Sequence, residues 1–112
     1  MIIYVDIDET ICQHPNSSAD KLKDYKQAIP IKENISKINS LYNQGHEIIY
    51  WTARGSKTGI DWEDLTKQQL KEWGALNNGI FVGKPYYDLF ICDKAINSRE
   101  FFFLEENKGE VK

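Results

Sequence analysis

The chain reads as an α/β protein, a three-layer, Rossmann-like domain around a central parallel sheet. Three observations predict this. Short β-branched apolar runs alternate with stretches of helical periodicity; the connections are long enough for helical crossovers; and acidic and hydroxyl residues recur just after the apolar runs. The 112 residues fit one domain, 1–112, with 41% hydrophobic and 28% charged residues, ordinary for a globular fold and too apolar for a disordered chain.

Taken in order, Ile2–Asp6 is a buried strand. Thr10–Pro30 is polar, with Pro15, Asn16, Ser17 and Ser18 as turn formers, and reads as a long loop. Pro30 suits a first helical position, and Ile31, Ile35, Ile38, Leu41 and Tyr42 follow at helical spacing up to Gly45. Glu47–Thr52 is a second strand and Arg54–Gly59 a glycine-containing loop. Asp61 is placed to cap a second helix with Trp62, Leu65, Gln69, Leu70 and Trp73 along one side. Ile80–Val82 is a short strand, Gly83–Tyr87 a loop and Leu89–Cys92 a further buried strand. A last helix or turn covers Ala95 to about Phe103, and a charged tail expected to fray begins at Glu105. The run Phe101–Phe103 cannot turn wholly inward, which makes a dimer contact there an expectation to test.

Composition narrows the function classes. The balance of 14 basic and 17 acidic residues gives a net charge of −3, so no nucleic-acid or anionic-membrane partner is expected. No apolar run approaches the roughly 18 residues a membrane helix needs. The start shows no basic segment of a signal peptide, and two cysteines are too few for a disulfide scaffold, so the expected location is cytoplasmic. Cys12 and Cys92 read as small buried hydrophobes.

In parallel α/β domains ligands sit outside the carboxyl ends of the strands, and the chemical residues fall there. Asp6 and Asp8 close the first strand and, two apart, share a face. Thr52 closes the second and is followed by Arg54; Lys84 follows the third; Asp93 closes the fourth. Carboxylates, a hydroxyl and cations converging on one edge suit Mg²⁺ and a phosphoryl group. Taken alone, the Asp6–Asp8 pair would be a strand-end turn, Thr52 a β-former and Lys84 a surface lysine; their shared placement argues against that. Ser56-Lys57-Thr58 lacks the glycine of a P-loop and reads as a solvated loop. For His14 a surface role is favoured over substrate contact, His46 is structural, and Asp88 fits a substrate or a turn role equally.

The series Asp6-Ile-Asp8-Glu-Thr10, Thr52, Lys84 and Asp93 resembles the haloacid dehalogenase superfamily of phosphatases. Trp51-Thr-Ala-Arg54, Gly83-Lys-Pro85 and Asp88-Leu-Phe-Ile-Cys-Asp93-Lys-Ala95 resemble its cap-less subgroup linked to capsule polysaccharide biosynthesis. That subgroup usually carries Asp-Asp where this chain has Cys92-Asp93. The resemblance implies a hydrolase in which Asp6 attacks phosphorus and Asp8 acts as general acid and base. It implies Mg²⁺ held by Asp6, Asp8 (through its backbone carbonyl) and Asp93, with Thr52, Lys84 and Arg54 toward the phosphate, Thr10 orienting the turn, and backbone N–H groups after Asp6 adding an anion nest. The implied substrate is a small phosphorylated metabolite, a sugar phosphate or nucleotide-linked intermediate; the implied assembly is a monomer or weak homodimer. Two alternatives from other classes are a receiver-like phosphoacceptor domain and a catalytically weak binding module. Receivers place adjacent acids after the first strand and offer no counterpart of Asp8.

Overall fold

The computed structural model describes residues 1–15 and 24–108. Asn16, Ser17 and Ser18, expected as turn formers, lie outside the described residues, as does the end of the tail. The chain is a Rossmann-like α/β domain. Its parallel sheet has three strands, β1 (Ile2–Val5), β4 (Glu47–Trp51) and β5 (Gly79–Phe81), in the order β1-β4-β5. A small antiparallel pair, β2 (Cys12–Gln13) and β3 (Ile29–Pro30), forms within the segment expected to be loop. Pro30 is therefore a strand residue, and helix α1 (Lys32–Asn43) begins two positions later. Helix α2 spans Glu63–Glu72; its N-cap is Trp62 rather than the expected Asp61, whose Oδ1 accepts from Glu63 N at 2.9 Å from one position earlier. Helix α3 spans Ser98–Lys108 and so runs past Glu105, where fraying was expected.

Register follows from the period of two in a strand. Tyr4 pairs with Ile49, Val5 with Tyr50 and Trp51 with Phe81. One face of the sheet therefore carries Ile3, Val5, Ile48, Tyr50 and Ile80. These pack with Ile35, Ile38 and Leu41 of α1, Leu70 of α2 and Phe102 of α3 in a single core cluster. That placement obeys chirality. Right-handed crossovers from β1 to β4 and from β4 to β5, both in the same direction, put α1 and α2 on the same side. The opposite face carries Ile2, Tyr4, Trp51 and Phe81. Ile2, Tyr4 and Phe81 are 67, 60 and 54% exposed, and Tyr4 meets Trp51 edge to face at 5.8 Å. Phe81, an aromatic residue of β5, thus lies on this open face. Of the aromatic run, Phe102 turns inward and Phe103 outward.

Side-chain amides fix the joints. Asn78 mimics a strand residue, its Oδ1 accepting from Ile48 N at 2.8 Å while its own N–H donates to Ile48 O at 2.8 Å. Asn39 of α1 donates to Gly74 O and accepts from Leu76 N, tying the α2–β5 connection to α1.

The expected fourth strand is corrected. Leu89–Cys92 forms no strand, and every residue from Pro85 to Asn97 is exposed. Leu89, Phe90 and Ile91 stand 75, 54 and 88% open to solvent. An apolar run alone does not make a strand; it needs a ladder partner, and within one chain this segment finds none among the described residues. Phe90 is thus exposed rather than packed.

Candidate phosphoryl-transfer site at the sheet edge

Asp6 stands just past β1 at the carboxyl edge. Its side chain is 44% exposed, its Oδ1 accepts from Ile7 N at 2.9 Å, and Lys84 Nζ lies 3.4 Å from its Oδ2. Lys84 is brought there by backbone. Its N–H donates to Thr52 O, Thr52 N donates to Phe81 O, and Ser56 Oγ donates to Lys84 O. The ammonium lies 5.7 Å from the Trp51 ring centroid and 5.4 Å from that of Tyr87, contacts that favour a cation. The structure thus joins two sequence-predicted residues, Asp6 and Lys84.

Asp8 points elsewhere. Its carboxylate receives Arg54 Nη2 at 2.8 Å and Arg54 Nε at 3.0 Å, and His14 Nε2 lies 2.7 Å from Oδ1. Burial pushes the Asp8 carboxyl up, but the hydrogen bonds from His14 and Arg54, with the Arg54 charge, outweigh it and hold the group well below the usual carboxylate range. Asp8 is therefore ionised at neutral pH, whereas the general-acid role implied by resemblance needs a protonated carboxyl.

Arg54, expected to meet substrate, is 3% exposed and fully engaged. Its Nη1 donates to Thr66 Oγ1 and Gln69 Oε1, and its guanidinium lies 4.6 Å over the Tyr25 ring. In this arrangement it is a buried positioning residue. Thr52 is 1% exposed, and its hydroxyl accepts from Arg54 N at 3.1 Å, closing the turn that carries Arg54. Thr10 orients the chain, its carbonyl accepting from Asn34 Nδ2. The expected anion nest is largely spent, since the N–H groups of Ile7, Glu9, Thr10 and Ile11 all donate within the turn. Glu9 there takes a left-handed φ of 62°, a conformation that costs a non-glycine residue of order 1 kcal/mol.

His14, favoured as a surface residue, is 8% exposed and belongs to the site. Thr66 and Gln69 were also missed as functional residues. Their signal was present: polar side chains three apart on the apolar side of α2 ask for a buried polar partner. Cys12 is buried as expected, and burial, reinforced by the Asp8 charge, pushes its thiol up to about 12, so it stays neutral. Cys92 is exposed.

The described residues of one chain do not gather the implied magnesium centre. Among them, three metal-ligating side chains come together at Asp8, Cys12 and His14, whereas no carboxylate of Asp93 joins Asp6. That cluster already holds a cation, because Arg54 donates to both Asp8 and Cys12. Asp93 lies in the exposed segment, next to Cys92 Sγ. Asp88 is likewise exposed.

With this geometry in hand, comparison with known proteins bears on the fold class. A crystal structure of a target protein from Vibrio cholerae is similar to the chain at a TM-score of 0.76 and 26% identity, covering 90% of this chain and 87% of that one. No family model matches the chain, and no curated protein matches it. Among the described residues no helix is long and apolar enough to cross a membrane.

Proposed function

We propose that the protein is a phosphomonoester hydrolase that works through a phosphoaspartate on Asp6. One observation carries this reading: a half-exposed carboxylate at the carboxyl end of β1, paired across the strand ends with the well-positioned ammonium of Lys84. An Asp6 oxygen attacks phosphorus and the ester oxygen leaves; water then attacks the acyl phosphate and frees Asp6. Lys84 faces the phosphoryl oxygens and offsets the repulsion between two anions. Asp8, held ionised by Arg54 and His14, is suited to accept the proton of the attacking water and poorly suited to donate one. Esters with acidic leaving groups are therefore the favoured probes. The natural substrate class, a small sugar phosphate or nucleotide-linked metabolite of surface polysaccharide assembly, rests on the family resemblance alone, as does the expectation of Mg²⁺. A cytoplasmic location is consistent with the cysteine content.

The test is multiple-turnover phosphate release from an aryl phosphate and a panel of sugar phosphates, with and without chelator. The wild-type chain should turn over many times. Asp6→Asn should fall at least a hundredfold while its circular dichroism is unchanged. Activity of Asp6→Asn within tenfold of wild type would refute the assignment. A single stoichiometric uptake of phosphate would instead mark a receiver-like domain, and no reaction a binding module.

A further inference from the structure

We propose that residues 89–92 of a second copy of this chain add as a parallel strand to the free edge of β1, and that Asp93 of that copy thereby reaches Asp6. The strand exchange stands on its own; its catalytic consequence rests on the phosphatase reading above.

The edge and the occupant are both exposed. β1 has β4 on one side and, among the described residues, no strand on the other. The free edge presents unpaired backbone N–H and C=O groups, a ready template for a further strand. The segment Leu89–Cys92 is apolar, extended in composition and pairs with no strand. Its sequence matches the edge it would join. β1 is four residues, Ile2-Ile-Tyr-Val5, followed by Asp6, and the segment is also four apolar residues, Leu89-Phe-Ile-Cys92, followed by Asp93. Paired in register, the two aspartates stand at the same level on adjacent strands, about 4.8 Å apart. That spacing is within reach of one shared divalent cation, the arrangement a single chain fails to assemble.

Chain length favours the second copy over closure within one chain. Only residues 82–88, seven in all, separate β5 from Leu89. A parallel connection takes a dozen residues or more, and this one would have to cross both β4 and β1. A right-handed crossover to that edge would also run over the open face of Tyr4, Trp51 and Phe81. The chain's own α3 is instead held on the helical face, where Phe102 joins the core and Lys37 Nζ donates to Phe102 O at 3.4 Å. Anchored at Lys84 and at α3, residues 85–97 form an arm that reaches outward. Both copies carry the same arm and the same edge, so a reciprocal exchange closes on itself as a two-fold dimer.

Light scattering on the full chain should give a mass twice 13.0 kDa. Ile2 and Tyr4 turn their backbone groups to the free edge, since Glu47 N donates to Met1 O on the other side, so in this register Phe90 and Cys92 supply the ladder donors. Phe90→Pro removes one of them at an exposed residue, so it should leave each chain folded and yield a monomer. A wild-type monomer, or a dimer indifferent to Phe90→Pro, would overturn the proposal. The site is tested by complementation. Asp6→Asn and Asp93→Asn chains, each impaired, are unfolded and refolded together at equal amounts. Half the dimers are then mixed and one site in each is whole, so about a quarter of the wild-type turnover per chain should return. No recovery from chains that do dimerise would overturn delivery of Asp93 between copies. If the wild type hydrolyses no phosphate ester, the phosphatase reading fails, while the mass measurements still decide the exchange.

Discussion

At the residue scale the site is governed by one buried cation. Arg54 reaches Asp8, Thr66, Gln69, Cys12 and the Tyr25 ring, and its side chain is closed to solvent. Removing one partner of such a pair leaves an uncompensated buried charge, worth about 3–5 kcal/mol. Arg54→Met should therefore lower the thermal midpoint sharply, and adding Asp8→Asn should restore part of the loss, because the amide leaves no orphan anion; a double-mutant cycle in denaturant measures this coupling. The same pair sets an acid response. The folded-state pKa of Asp8 is depressed, so its stabilisation is complete above the ordinary carboxylate value of about 4 and drains away as pH falls below it. Unfolding free energy measured from pH 6 to pH 2.5 should fall more steeply for wild type than for Asp8→Asn.

At the element scale the joints are held by amides rather than by further apolar area. Asn78 supplies both halves of a strand-like pair to Ile48, so Asn78→Ala exposes one buried backbone donor to an unmet hydrogen bond. A loss of about 1–3 kcal/mol in chemical denaturation is expected. A shift below 0.3 kcal/mol would show that water replaces the amide without cost. Elements were legible where local pattern and tertiary partner agree. The stripe Ile35, Ile38 and Leu41 marks α1, Asp61 bonds the first turn of α2, and the β-branched runs of β1 and β4 form strands as expected. They were not legible where a distant partner decides. Leu89–Cys92 has the composition of a strand and no ladder within its chain, and Cys12–Gln13 has little strand character but pairs with Ile29–Pro30. The site divides the same way. Asp6 and Lys84 follow from their places after strands. Arg54 and His14 are fixed by burial among Thr66, Gln69 and Tyr25; the spacing of Thr66 and Gln69 asks for a buried polar partner but does not say which residue it is.

At the scale of the whole molecule, the helices α1, α2 and α3 all share one face, so the chain direction does not reverse anywhere within β1-β4-β5. A strand added beyond β1, as proposed, would supply that reversal and place the crevice beside β1. If the proposed phosphatase site takes Asp93 from a second copy, it obeys mass action. Specific activity per chain should climb with enzyme concentration and level off once association is complete, a curve that stopped-flow dilution followed by phosphate release would trace. On the proposed reading, activity would then fade in dilute solution while each chain stays folded, making abundance itself the control.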